Sequence, residues 1–468
     1  MSSILIRNGC IFTMDERRRY LPHGAVLVEG SRIVDVGETD RIRKEHSADI
    51  VIDASNKIVM PGLINGHDHY EQTFMKGLLR TYTERTPQWV KEFKIPLTKE
   101  MRAEDYYYSN MIACLEMIRS GITCGVNSIC QQDPKKVRAF GLDKSVQAVE
   151  ESGVRTLIPV SAADRFEPSE FLLSPDEAVD LVDWAITRWN GKAEDRIRVC
   201  TSVAGVFSTT PNLWRAMKNL AEERGVILHT HVASATTGEV EEAYVNNNLG
   251  PMITGAHCVW LSERDIEIIA KTGMKAVHCP TYKLSYSIDS KVDKFGDAIA
   301  PIADMLRKGI TVGLGTDGCM GDTHDMFREM RNLAFTQQYK MQDKTLFPPT
   351  KLLEMTTVDC ARTLSWQDQI GSLEPGKRAD IVIIDPNHPN MIPWTNPAAC
   401  LVYLASGSDV ETVIIDGKIV MENRMIQTVK EKEVFQRAQS AAEDLIKRAG
   451  LEHLMSRGLD PWCSNYKL

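Results

Sequence analysis

Two His-x-His pairs constrain this chain more than any other feature. His67-Asp68-His69 and His229-Thr230-His231 each close an apolar run that reads as a β-strand. Residues i and i+2 of a strand project to the same face, so each pair aims two imidazoles into one space. Single histidines follow at strand-like ends, His257 in Gly-Ala-His-Cys and His278 in Val-His-Cys-Pro, and then Asp317 in Gly-Thr-Asp-Gly. Such ends converge on one point when parallel strands finish on a common rim, as they do at the carboxyl end of a closed barrel. Imidazole pairs with a carboxylate suit a divalent metal. The expectation is an α/β protein, a (β/α)8 TIM-like barrel with a metal site at its carboxyl rim.

The rest of the chain fits this frame. From about 60 to 365, short apolar runs such as Gly225 to His229 and Gly309 to Gly315 alternate with helical segments such as Thr210 to Arg224 and Asp297 to Lys308. Both ends read differently. Ile4-Leu5-Ile6, Ala25 to Val28 and Arg32 to Val36 alternate with turns, as do Asp380 to Asp385 and Thr412 to Val420, where Asp416-Gly417 is a hairpin signal. We therefore expect a small β-sandwich domain from residues 1–58 and 370–425, a barrel over 59–369, and a helical tail over 426–468.

Bulk properties exclude some functions. The 468 residues carry a formal net charge of −8, which argues against nucleic acid or an anionic membrane as partner. No apolar stretch approaches the roughly 20 residues of a membrane span, and Met1 to Arg7 lacks the architecture of a secretion signal. Eleven scattered cysteines without C-x-x-C spacing suit reduced thiols in a cytoplasm.

The ordered motifs resemble the amidohydrolase superfamily. Met60-Pro61-Gly62-Leu63-Ile64-Asn65-Gly66-His67-Asp68-His69 is similar to its first barrel strand. Gly371-Ser372-Leu373-Glu374-Pro375-Gly376-Lys377-Arg378-Ala379-Asp380 resembles the segment with which these proteins return to their β-domain, and carries no chemistry itself. The likeness is strongest to the branch of s-triazine hydrolases and guanine- or nucleoside-type deaminases, which also includes enzymes hydrolysing phenylureas and thiocarbamates. It implies His67, His69, His231 and Asp317 as metal ligands, with Asp317 accepting a proton from the attacking water and His257 orienting that water or polarising substrate. For His229 a packing or supporting role is favoured. Binuclear members bridge two metals with a carboxylated lysine; the matching stretch, Arg196 to Ser208, has none, which favours one ion. Zinc is the default, while iron, cobalt or manganese suit the same donors. Relatives are commonly homo-oligomers, and the partner expected here is a small molecule.

Substrate contacts are less constrained. His278 is as consistent with packing as with touching substrate. Phe74 and Trp89, with Tyr70, Met75, Tyr82 and Phe93, follow the first metal pair and offer an apolar lining, and Arg165 and Phe166 are further candidates. One departure matters. Most of the branch has glutamate three residues after the histidine matching His231, whereas this chain has Ser234. A serine hydroxyl does not replace a carboxylic acid as proton donor to a ring nitrogen. The first expectation is therefore cleavage of a C–N or comparable acyl bond in a small amide-, urea- or carbamate-like molecule. The alternative is removal of ammonia, amine or chloride from a nitrogen heterocycle of triazine, purine or pyrimidine type. A third reading is a binding protein with a degenerate site.

Overall fold

The computed structural model describes residues 2–78, 90–234, 236–286, 299–320 and 322–455. Eight parallel strands, each hydrogen-bonded to the next in sequence, curl into a nearly closed barrel. They are β1 (Leu63–Asn65), β2 (Ile122–Val126), β3 (Arg155–Ala162), β4 (Ile197–Val203), β5 (Leu228–Val232), β6 (Ile253–His257), β7 (Lys275–His278) and β8 (Val312–Leu314). Nearly every strand residue is buried, because side chains face either the filled interior or the outer helices. Closure is made by single bonds between the first and last strands: Gly66 N–H donates to Leu314 C=O at 2.8 Å and Asp317 N–H to His67 C=O at 2.9 Å. A Cβ on Gly315 would lie 2.7 Å from the His67 nitrogen, so glycine is what lets these two backbones meet.

Helix boundaries follow the local chemistry. Ser174 and Thr210 cap the helices Pro175–Trp189 and Pro211–Arg224, each with proline in the first turn, and Ser262 caps Glu263–Thr272. Gly153, Gly225 and Gly273 stop their helices in left-handed conformation. The expected helix near 297–308 is observed as Ile302–Arg307.

The chain ends build one mixed nine-stranded sheet. Ile58–Pro61 from the first end pairs antiparallel with Ile381–Ile384 from the second. Alternation is clear in Ser3–Phe12 and Tyr20–Glu29. Ile4, Ile6, Val26 and Val28 face one core, while Leu5, Ala25 and Leu27 face Ile42 of the helix Thr39–Glu45. Asp416 and Gly417, both at positive φ, turn Val410–Ile415 into Lys418–Glu422, as the hairpin signal predicts.

Sheet and barrel are clamped by a buried ion pair. Arg155 at the start of β3 donates from Nε and Nη2 to the two oxygens of Asp380 at 2.8 and 3.0 Å, and from Nη2 to Asp416 at 3.3 Å. The C-terminal helix Glu431–Arg448 lies on Ala103–Arg119, pinned by Arg119–Glu431 at one end and Arg448–Asp105 at the other. Among the described residues no helix is long and apolar enough to cross a membrane.

Candidate active site

The barrel strands deliver their histidines to one rim through unusual backbone. Ala233 just past β5, His257 and Cys258 at the end of β6, and Asp317 after β8 all sit at positive φ. Non-glycine residues held in this region cost about 1–3 kcal/mol each and concentrate where side-chain aim matters more than stability.

Four imidazoles and a carboxylate meet there. His69 Nε2 lies 3.3 Å from His231 Nε2. Asp317 Oδ1 is 3.5 Å from His69 Nε2 and 3.7 Å from His67 Nε2, and its Oδ2 is 3.8 Å from His257 Nε2. The backbone fixes the tautomers. His69 Nδ1 donates to Ser128 C=O at 2.7 Å and His231 Nδ1 to Ala204 C=O at 3.1 Å. A carbonyl only accepts, so both rings turn an Nε2 lone pair inward. His229 Nε2 instead donates to Gly66 C=O at 3.1 Å, and its ring stacks behind His67 at 5.1 Å.

Charge and burial suit a cation. Burial, aided by the neighbouring imidazoles, holds His67 well below its usual pKa, and burial takes His231 down to about 4. Both rings are therefore neutral donors at pH 7. Burial lifts Asp317 to about 7 against the opposing hydrogen bond from Gly318 N–H. Both ring nitrogens of His67 are buried with no hydrogen-bond partner, an unusual state for a polar group in a folded core. The ligand atoms of His67, His69 and His231 lie within 4.8 Å of one another, as do those of His67, His257 and Asp317. This donor set fits a divalent ion.

The other sequence candidates lie further out. His278 is buried at the end of β7, its Nδ1 donating to His257 C=O at 2.9 Å. Ser234 is half-buried just past β5. Glu239, on the following helix, is committed elsewhere: one oxygen accepts from Ala233 N–H at 2.8 Å and the other from Thr236 Oγ1 at 2.9 Å. Phe74 packs with Met75, Phe93, Leu97 and Tyr106 against Leu445 and Ile446 of the C-terminal helix, and Tyr70 is buried in the main core. Trp89 and Tyr82 lie outside the described residues. Phe166 and Phe207 stack at 4.5 Å though each is more than half exposed, and with Arg165, Thr236 and Glu242 they line a cavity of about 270 Å³ beyond β3 to β5. A larger cavity of about 500 Å³ opens on the barrel's flank at Arg138, Asp180 and Trp184, away from the histidines.

Sequence reasoning missed two buried charged groups. Asp68, between the first two histidines, points away from them and forms an ion pair with His324, its Oδ2 2.6 Å from Nε2. His324 Nδ1 reaches Glu116 Oε2 at 2.5 Å. Burial opposes a charge there, but the two carboxylates outweigh it and hold His324 well above its usual pKa. The second group is Lys94, which is 1% exposed and faces Glu71 Oε1 at 3.6 Å. No motif marks His324 or Lys94: one sits in a turn-rich stretch, the other in an apolar segment with a second lysine.

Comparison with known proteins agrees with this geometry. The Amidohydrolase family model matches residues 58–420, and a bacterial imidazolonepropionase-like composite domain matches residues 24–46. A 5'-deoxyadenosine deaminase of Methanosarcina acetivorans is 32% identical, the match covering 96% of this chain and 100% of the relative. A 5-methylthioadenosine/S-adenosylhomocysteine deaminase of Thermoanaerobacter pseudethanolicus is also 32% identical, covering 95% and 100%. Among solved structures, a zinc-bound adenosine deaminase of Xanthomonas campestris superposes with a TM-score of 0.82 at 23% identity, covering 95% of this chain and 98% of that one. These relatives are enzymes along their whole length, which sets aside the degenerate binding protein. The metal-type rim and the match over most of the barrel lead to one assignment: this chain belongs to the amidohydrolase family, as a metal-dependent hydrolase of non-peptide C–N bonds.

Proposed function

We propose that this protein is a hydrolytic deaminase of an aminated nitrogen heterocycle, holding one divalent ion with His67, His69, His231 and Asp317. The observation that carries the reading is that the relatives matching nearly the whole chain at about a third identity are deaminases of adenosine derivatives. They shift the balance from acyl cleavage, the first expectation from sequence, to its alternative. Zinc is our first choice of ion, given three imidazoles and a carboxylate.

A bound ion would acidify water toward neutrality and polarise the attacked carbon. The chain's own residues do the rest. Asp317, whose Oδ2 lies 3.8 Å from His257 Nε2, accepts the water proton and returns it to the leaving nitrogen. His257 orients the attack. His69 and His231 are kept in the donor tautomer by Ser128 and Ala204. Burial of His67, His69, His257 and Asp317, none more than 5% exposed, keeps bulk water from them.

Ser234 favours the second reading, acyl cleavage in a urea or carbamate, because no carboxylic acid follows β5 at the expected place and Glu239 braces the loop instead. One assay separates the two. Metal-loaded protein is offered 5'-deoxyadenosine, methylthioadenosine, aminotriazines, phenylureas and thiocarbamates, with Asp317→Asn as control. Ammonia release from ring substrates, lost in the variant, is the expected result. Turnover of ureas or thiocarbamates alone would overturn it.

A further inference from the structure

Hydroxide adding to a C=N or C=O carbon drives negative charge onto the heteroatom, and a fixed hydrogen-bond donor at that atom lowers the barrier. The side chains assigned so far have other work. Asp317 takes a proton and His257 orients the attack. Burial keeps the His278 ring neutral, and its one N–H goes to His257 C=O. Both oxygens of Glu239 are committed to Ala233 and Thr236. Tyr282 stands beside these groups. It lies in the first turn of the helix Pro280–Tyr286, which follows β7 directly. Its ring centre is 5.1 Å from that of His257, at 35° to it. His257 is itself stacked on His231 at 5.3 Å and reaches within 3.8 Å of Asp317, so Tyr282 touches a side chain of the reacting centre. His257 is only 3% exposed, whereas Tyr282 is half-buried and keeps part of its surface open. Its turn is pinned from the helix Met326–Met341: Thr281 N–H donates to Glu329 Oε2 at 3.0 Å, and Asn332 Nδ2 to Thr281 Oγ1 at 2.7 Å.

We propose that Tyr282 is a catalytic residue, its hydroxyl donating a hydrogen bond to the substrate heteroatom that gains charge as hydroxide adds. The acceptor is the ring nitrogen next to the carbon that loses its amine, an identification that rests on the deaminase reading. A phenol suits this role. With a pKa of about 10 in water it is neutral at pH 7 and a better donor than an aliphatic hydroxyl. Its rigid ring also limits the freedom lost in aiming it. The hydroxyl keeps its own proton. One water proton passes through Asp317 to the departing ammonia and the other stays on the product, so an aminated C=N carbon and water become a ring lactam and ammonia.

Tyr282→Phe tests it on the zinc-loaded, full-length protein, because the variant keeps the ring against His257 and removes the hydroxyl alone. On the best ring substrate kcat should fall about 100-fold, the usual effect of deleting one such donor, while KM stays within about threefold. Zinc content and melting temperature should match wild type. That split marks a bond made in the transition state and not in the bound substrate. A ring that serves only as packing would leave kcat within about threefold of wild type, which would overturn the proposal. A raised KM with kcat kept would also overturn it, since the hydroxyl would then bind substrate and transition state equally. If wild type releases no ammonia but hydrolyses a urea, the deaminase reading fails by itself. The same comparison on that urea, with its carbonyl oxygen as acceptor, then decides the role of Tyr282 by the same thresholds.

Discussion

His324 is gripped on both ring nitrogens, by Asp68 on one side and Glu116 on the other, at the back of the segment that carries the first metal-type pair. Removing the imidazole leaves Asp68, fully buried, without its counter-charge. His324→Ala should therefore cost about 3–5 kcal/mol in a denaturant titration, the usual range for breaking a buried pair; a loss below about 1 kcal/mol would show that the pair is idle. Asp317 gives a pH prediction. In the metal-free protein its pKa is raised to about 7, so its proton is held more tightly in the fold than in the unfolded chain. Its contribution to stability is complete below the unfolded value near 3.8 and is lost as pH rises through 7. An ion needs the ionised carboxylate and so competes with that proton. Metal affinity measured by competition with a chelator should climb with pH by up to about tenfold per unit and level off above about 7. Asp317→Asn should flatten the climb; an unchanged slope would assign the proton elsewhere. At this scale sequence was informative where period-2 geometry acts, as at His67 and His69. It was silent on Lys94, Glu71 and His324, whose burial is set by contacts with segments distant in the chain.

The strands and helices were largely legible from caps, turns and apolar runs. Thr210-Pro211, Gly225 and Asp416-Gly417 act where their backbone chemistry says they should. The stretch ending Lys377-Arg378-Ala379-Asp380 served the sequence reading only as a mark of resemblance. The structure supplies its physical reason: Asp380 receives Arg155 from β3 and holds the terminal sheet to the barrel. Asp380→Asn leaves a guanidinium that is 1% exposed with Asp416 as its remaining carboxylate partner, and a loss of about 1–3 kcal/mol is expected from chemical unfolding. Unfolding within about 0.5 kcal/mol of wild type would mean that the sheet is held by apolar packing alone. Phe74 illustrates what patterning leaves open. An aromatic after a metal motif reads equally as lining or packing, and only tertiary structure shows it against Leu445 and Ile446.

The molecule as a whole joins its two ends in one sheet and gathers its chemistry at the carboxyl ends of eight parallel strands. Alternation of strands and helices made that plan readable, since parallel strands need crossovers of about this length. Substrate was not readable, because the pocket of such a barrel is built by its βα loops rather than by the metal motifs. The central claim is a single catalytic ion held by these histidines and Asp317. The direct test is to titrate zinc into metal-stripped protein while following ammonia release from the best heterocyclic substrate. The account predicts that activity rises from nothing and saturates at one ion per chain. Saturation at two ions, or full activity without metal, would contradict it.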